Sequence, residues 1–340
     1  MPPGPGRQTP RMNPGNRWPA SIPRPRDYLE TAGGLHFAVV SSLIDAGHAL
    51  TSLRYVRRDS LLVKLSTDEA NAFLRGHRAT YLAHSTLIDA MVHRVPLADV
   101  IATHRPDERL SALLAAAAGD GIERRALRAV TALVAGGTPV DRIGLGGSLL
   151  LGAQHPGSDI DLVVYGRRAF EVARGALGAA ITAGQLEALD HGQWEAAWSR
   201  RGSDLTLDEY MRAEVRKRNK AVIEGTRVDL TLVVDHDEEV PERGPFRKLG
   251  RIGVQALVTD ASAAFDHPAR YRVQHDQVNE VVSFTPTYAG QAVEGEAIEA
   301  RGWLEEDSTG ARRLVVGTSR EAAGEYVVVT SPGFSSSPRC

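Results

Sequence analysis

Two aspartates one residue apart, Asp159 and Asp161, open an apolar run, Ser158-Asp159-Ile160-Asp161-Leu162-Val163-Val164. Successive side chains of a strand point to opposite faces, so the two carboxylates share one face while Ile160 and Leu162 share the other. Their Cα atoms then lie about 6.6 Å apart. Carboxylates leaning inward from that spacing can hold hard divalent cations, which prefer carboxylate, phosphate and water oxygens, and Mg2+ (or Mn2+) is the metal implied. Two solvated acids at an exposed strand end would look the same, so the pair draws its meaning from what precedes it. Upstream, Gly146-Gly147-Ser148 follows a short apolar strand, Ile143 to Leu145, and enters a short helix. Glycines there let backbone approach a ligand, free N–H groups suit phosphate oxygens, and Ser148 adds a hydroxyl. The plain alternative is a helix start with Ser148 as its N-cap.

Gly-Gly-Ser, a short spacer and then Asp159-Ile160-Asp161 in an apolar strand resemble the DNA polymerase beta-like nucleotidyltransferase superfamily. The resemblance implies a metal-dependent transferase that moves a nucleoside monophosphate from a nucleoside triphosphate to an acceptor hydroxyl, releasing pyrophosphate. It further implies that Gly146, Gly147 and Ser148 hold the triphosphate, that Asp159 and Asp161 bind metals, and that a third acid on a neighbouring strand completes the catalytic-metal site. Asp229, in Val228-Asp229-Leu230-Thr231-Leu232, matches that third position, with Thr231 on its face of the strand. Two cations about 3.5 to 4 Å apart stabilise both the attacking and the leaving oxygens of an in-line displacement. Asp159, Asp161 and Asp229 are therefore expected to be both metal ligands and catalytic residues. The match covers Ile143 to Val234. The acceptor is open between an RNA or DNA end, a protein and a small molecule. The alternative function is a catalytically inactive nucleotide-sensing or RNA-binding protein on the same fold, and the intact set of acids argues against it.

Other residues carry two readings each. The basic run Arg216-Lys217-Arg218-Asn219-Lys220 offers Lys217 and Lys220 to the triphosphate or to an acceptor phosphate, but it equally suits a solvated helix C-terminus favoured by the macrodipole. His155 reaches substrate or is a polar loop residue. Asp235 and Asp237 fall at a strand end and read as loop acids. Trp194 and Trp198, four apart, read as one helix face.

These residues need a scaffold, and the chain is long enough for several cores: 340 residues suit two or three domains. A formal net charge of −2 does not mark a bulk polyanion binder. The single cysteine, Cys340, excludes an internal disulfide and a Cys-based zinc site, which points to a reducing, cytoplasmic setting. The longest apolar stretch, Leu110 to Ala118, is far short of the roughly 20 residues of a membrane span. The Pro-, Gly- and Arg-rich start lacks the apolar core of a secretory signal and reads as a disordered leader.

The expected fold class is α+β: a central polymerase beta-like nucleotidyltransferase mixed sheet with helices, flanked by an N-terminal α+β region and a C-terminal β-rich, OB-like domain. The expected boundaries are a leader at 1–25, the N-terminal region at 26–120, the nucleotidyltransferase domain at 121–240, the β-rich domain at 241–332 and a tail at 333–340. In the first region, Leu35 to Val40 and Ala49 to Val56 read as a hairpin about Asp45, Ala46 and Gly47. Ser66 with Glu69 opens a helix running through Phe73 and Tyr81, and His84 to His93 reads as further helix. Pro106 and the glycines Gly119 and Gly121 suggest a boundary before a helix at Ile122 to Val134. Centrally, strands at Ile160 to Tyr165 and Val228 to Val234 enclose helices at Arg168 to Ile181 and from Thr206 toward Asn219. Six β segments follow, from Ile252 to Val329, and their Phe284, Tyr288, Trp303 and Tyr326 either stack bases or fill a core.

Overall fold

In the computed structural model, which describes residues 22–85, 90–116, 119–240, 244–317 and 322–330, three sheets follow one another along the chain. The first comprises β1 (Tyr28–Thr31), β2 (Leu35–Asp45), β3 (His48–Arg58), β4 (Leu61–Lys64), β5 (Leu82–Ser85), β6 (Ala90–Pro96) and β7 (Val100–His104), with helix α1 (Thr67–His77) between β4 and β5. Its strands run in the order β5-β6-β3-β2-β1-β7, with β4 on β3. Ala46 and Gly47 both take positive φ, as a two-residue turn between Asp45 and His48 requires. Alternation sorts the faces: Leu35, Phe37, Leu53 and Val56 pack beneath Leu74 of α1, while Tyr28, Glu30, His36 and Ala38 share the other face. The capping box of Ser66 and Glu69 forms, but the helix stops at His77, and Tyr81 lies in a 3-10 turn.

The helix expected over His84 to His93 is instead the antiparallel pair β5 and β6, with residues 86–89 outside the described set. The period of two was hidden because an inward position of β6 is a histidine: His93 is buried beside Val95. His93 Nδ1 accepts a hydrogen bond from the Leu53 amide at 2.8 Å, and its Nε2 lies 3.0 Å from Asn71 Oδ1. Burial lowers its pKa to about 4, so the ring is neutral and the acceptor role is open to it.

The central layer contains α2 (Pro106–Ala115), α3 (Gly121–Ala135), β8 (Ile143–Leu145), α4 (Gly147–Leu150), β9 (Ile160–Tyr165), α5 (Arg167–Thr182), α6 (His191–Arg201), α7 (Leu207–Lys217), β10 (Lys220–Ile223) and β11 (Thr226–Val233). Strand order is β10-β11-β9-β8, and only the β9–β11 pair is parallel. Ile160, Leu162 and Val164 of β9, with Val228, Leu230 and Leu232 of β11, bury against α3 and α5. The intervening residues, Asp161, Val163, Asp229 and Thr231, therefore face away from those helices. Pro106, read as a boundary mark, begins α2 and packs so tightly on β8 that a Cβ at Gly144 would meet Pro106 Cβ at 2.6 Å.

The last sheet comprises β12 (Phe246–Asp260), β13 (Ala269–Gln274), β14 (Glu280–Ser283), β15 (Ala297–Asp307), β16 (Arg312–Val316) and β17 (Tyr326–Val329). β12 pairs with both β13 and β15, so β12-β13-β14-β16-β15 close into a ring of five strands, with β17 added to β15. Closure removes free edges, and five is the strand number of an OB-type barrel. Trp194 of α6 and Tyr210 of α7 pack into the core of this ring, joining it to the central layer.

Arg24, which falls inside the leader expected at 1–25, is fully buried. Its guanidinium binds Asp27, reaches Asp107 of α2 at 2.6 Å and lies 4.8 Å over the Tyr165 ring. An ion pair this buried leaves an uncompensated charge when one partner is lost, at a cost of about 3–5 kcal/mol. Arg24→Ala is expected to destabilise the chain by that amount in denaturant titration; a loss below about 1 kcal/mol would show that the segment is not anchored through Arg24.

Candidate active site

Asp161 and Asp229 are neighbours because β9 and β11 run parallel in a register that sets them directly opposite, and Asp159, just before β9, is joined to Asp229 through Arg227. Asp161 is half-buried, Asp229 is 16 % exposed and Asp159, just before β9, is 36 % exposed. Like charges this close oppose joint ionisation. Burial first, then Asp229 and, behind the opposing charge of Arg26, Asp159 push the Asp161 carboxyl up to about 6. Asp229 Oδ1 is buried with no hydrogen-bond partner, a state that normally calls for a missing ligand, ion or water.

Arg227, two residues before Asp229 and on its face, lies among the acids. It hydrogen-bonds Asp159 Oδ2 and comes within 3.2 Å of Asp229 Oδ2. Against the cost of burial, Asp229, Asp159 and Asp161 raise its pKa. Sequence reading passed over Arg227, although the same alternation that paired Asp229 with Thr231 also pairs it with Arg227.

The glycine turn closes on the acids. Gly146 N donates to Asp161 O at 2.8 Å. Gly147 has φ +57°, and a Cβ built on it would lie 2.0 Å from Asp161 Oδ2. Glycine at 147 is thus required by the carboxylate. The N-cap of α4 is Gly146, with no side-chain cap bond, so the half-buried Ser148 is not spent on capping.

Both lysines donate to Glu214, Lys217 to Oε1 and Lys220 to Oε2, but only one of them stands beside the acids. Lys220 stands opposite Asp229 across β10 and β11; burial lowers its pKa, and Glu214 and then Asp229 more than restore it. Lys217 turns away: its Nζ is buried, 2.5 Å from Glu214 Oε1 and 2.7 Å from Thr287 O. Burial would push Glu214 up, but Lys217 and Lys220 hold it down to about 2. Lys217 therefore ties α7 to the barrel and does not reach the acids, because the last turn of α7 carries it inward. Arg216 and Arg218 line a cavity of about 510 Å³ with Glu171 and Arg174 of α5, on the helix side of the sheet. His155 is an exposed loop residue whose Nδ1 accepts from Gly157 N. Asp235 binds Arg142 at 2.8 Å. Trp194 is core, and Trp198 Nε1 donates to Leu205 O at 2.7 Å. In the barrel, Tyr288 and Tyr326 are buried and Trp303 is half-buried beneath Arg251.

Long-range residues complete the site. Tyr28 and Tyr55 of the first sheet pack on Leu150 of α4, so that sheet lies over the acid-bearing face. Arg54 is the extra residue of a bulge, since Phe37 pairs with Leu53 and His36 with Tyr55; bulges re-aim side chains and concentrate near active sites. Arg26 lies in the field of Asp161, Arg54 and Arg201. Arg26 and His267 are exposed. Among the described residues, Arg26, Arg54 and Arg201 have no carboxylate partner in an ion pair.

A family model described as a nucleotidyltransferase domain matches residues 124–241. The chain belongs to the polymerase beta-like nucleotidyltransferase superfamily. The match spans α3 to just beyond β11 and so includes the turn, all three acids, Arg227 and Lys220. The chain is also 34% identical over 335 positions to an uncharacterized protein of Methanocaldococcus jannaschii, covering 90% of this chain and 98% of that protein. That likeness therefore extends beyond the nucleotidyltransferase domain, into the flanking sheets. No solved structure gives a significant match. A nucleotidyltransferase domain supports nucleotidyl transfer in general. No helix among the described residues is long and apolar enough to cross a membrane.

Proposed function

We propose that the chain transfers a nucleoside monophosphate from a nucleoside triphosphate to an acceptor hydroxyl, with Asp159, Asp161 and Asp229 holding Mg2+ or Mn2+. The observation that carries this reading is the in-register pairing of Asp229 with Asp161, beside the glycine turn packed on the Asp161 carboxylate. The residues fit a divalent cation: Asp229 Oδ1 is a buried oxygen without a partner, and the Asp161 carboxyl stays raised by burial and by Asp229 although Arg26 and Arg227 oppose the shift. When bound, such ions supply Lewis-acid charge for the attacking and leaving oxygens of an in-line displacement.

The protein's own groups do the rest. Gly146, Gly147 and Ser148 seat the triphosphate, and Lys220 keeps positive charge beside Asp229. Arg26, Arg54 and Arg201, which form no ion pair with a carboxylate among the described residues, supply positive charge for the phosphates. The acceptor oxygen bonds to the α-phosphorus, the bond from the α-phosphorus to the bridging oxygen breaks, pyrophosphate leaves, and Asp229 takes the hydroxyl proton. The acceptor is an RNA or DNA end, a protein or a small molecule. One observation favours a second reading, a nucleotide-binding protein without turnover: the Arg227 guanidinium lies between Asp159 and Asp229 where a cation would sit.

Incubation with α-labelled nucleoside triphosphates, Mg2+ and separate RNA, DNA, protein and metabolite fractions distinguishes the two. The expected result is label in one fraction, with Asp229→Asn lowering the rate by at least about 10³-fold while triphosphate binding persists. Wild-type turnover by Asp229→Asn would remove Asp229 from the mechanism, and nucleotide binding without label in any fraction would favour the second reading.

A further inference from the structure

Outside the acid cluster, three strands of the first sheet bring together two histidines and a glutamate. Glu30 of β1 stands opposite His36 of β2, and His104 of β7 lies two positions beyond Ala102, the residue paired with Glu30 from the other side. His104 Nε2 is 3.0 Å and His36 Nε2 is 3.5 Å from the same oxygen, Glu30 Oε2. The ligand atoms of all three lie within 4.8 Å of one another, the one such grouping of His, Cys, Asp or Glu among the described residues. A tetrahedral ion with bonds of about 2.0–2.1 Å needs its ligand atoms about 3.3–3.4 Å apart, and the two measured separations bracket that value.

The surroundings suit ligation. His36 is 1 % exposed, and its Nδ1 lies 3.1 Å from Gly34 O. A proton on Nδ1 donated to that carbonyl leaves the Nε2 lone pair aimed at Glu30, the outer hydrogen bond that orients a metal-bound imidazole. The side chain of His104 is a third exposed, so the cluster is in contact with solvent. Arg57, 3.6 Å from the other Glu30 oxygen, is the remaining partner of the carboxylate.

We propose that Glu30, His36 and His104 form a binding site for a transition-metal dication, Zn2+ first, with three protein ligands and one open position. Mixed imidazole and carboxylate ligands suit Zn2+, whereas the all-carboxylate cluster of Asp159, Asp161 and Asp229 suits Mg2+ or Mn2+, so the two sites differ in the metal they select. The site binds β2, β1 and β7 to one another on the face that also carries Tyr28 and Tyr55. It stands whether or not the chain transfers nucleotides.

The test uses the tag-free full chain, stripped with a chelator and titrated with Co2+ as a visible reporter for Zn2+. The expected result is a single equivalent with the strong visible bands of low-coordinate Co2+, displaced by Zn2+ and unaffected by excess Mg2+. Glu30→Gln and His104→Gln are expected to lose the bands and bind Zn2+ more than about 100-fold more weakly, with Asp161→Asn unchanged. Zn2+ added to the unlabelled wild type should also shift the imidazole NMR signals of two of the eleven histidines, a readout independent of how the variants fold. No visible band in the wild type, wild-type binding by both variants, or Zn2+ shifts confined to other histidines would overturn the site.

Discussion

Replacing Gly147 by alanine is expected to cost at least about 10²-fold in nucleotidyl transfer. The new Cβ would lie 2.0 Å from Asp161 Oδ2 and 3.0 Å from its carboxyl carbon, so either the turn or the carboxylate must move. A displacement near 1 Å at a catalytic group is enough for a loss of that size. The backbone adds strain, since φ of +57° lies in the left-handed region, where a Cβ costs about 1–2 kcal/mol. Gly152 separates the two effects: its φ is +65°, but nothing lies within 4 Å of a Cβ built there. Gly152→Ala should lose stability by about 1 kcal/mol in denaturant titration and keep its transfer rate. Equal activity in Gly147→Ala and Gly152→Ala would show that contact with Asp161 is not what glycine 147 serves.

Asp161→Asn is expected to abolish transfer and, in the absence of divalent metal, to make the protein more stable at pH 8. Burial, then Asp229 and the smaller contribution of Asp159, raise the Asp161 carboxyl to about 6 from an ordinary value near 3.8, with Arg26 and Arg227 opposing. A carboxyl whose folded pKa is raised favours the folded state while it is protonated. Its contribution is therefore fully present below about pH 3.8 and is lost as pH climbs through about 6. Above that window the fold carries an ionised Asp161 against its neighbours. Asparagine removes this penalty, so the gain should be about 1–2 kcal/mol at pH 8, allowing for partial exposure, and close to zero at pH 4. Mg2+ should stabilise the wild type at pH 8 and not the variant. Mg2+ affinity should rise with pH through about 6, as the Asp161 carboxyl of the metal-free site ionises. Loss of stability in Asp161→Asn at pH 8 would contradict the electrostatic account of the cluster.

The parts of this site that were legible in sequence share one property: each rests on local period or a short spacing. Alternation placed Asp159 and Asp161 on one face, and the same rule gave Asp229 its orientation. The capping boxes of Ser66–Glu69 and Thr206–Glu209 located two helix starts, and both form. Asp190 with Gln193 is the same signal and opens α6, but only the Trp194 and Trp198 spacing drew attention to that helix. Period failed at β6, where the inward residue is His93 and its partner, the Leu53 amide, is 40 residues away. Lys217 and Lys220 could not be told apart, because both Nζ groups converge on Glu214 and only the register of β10 against β11 sets Lys220 opposite Asp229. The nearness of Arg26 to Asp161, Arg54 and Arg201 joins residues far apart in the chain, and no spacing within one segment encodes it. The three-layer organisation followed from composition and alternation; closure of the last sheet depends on β12 pairing with both β13 and β15, which only the folded chain reveals.

The central claim is that three acids on parallel strands hold the metal for nucleotidyl transfer. The most direct test is pyrophosphate release from nucleoside triphosphates in the presence of the RNA, DNA, protein and metabolite fractions. It should be followed with and without Mg2+ for the wild type, Asp159→Asn, Asp161→Asn and Asp229→Asn. The account predicts release by the wild type that requires both the metal and one fraction, and that each of the three substitutions removes. Release that persists without divalent metal, or that survives Asp161→Asn, would contradict it.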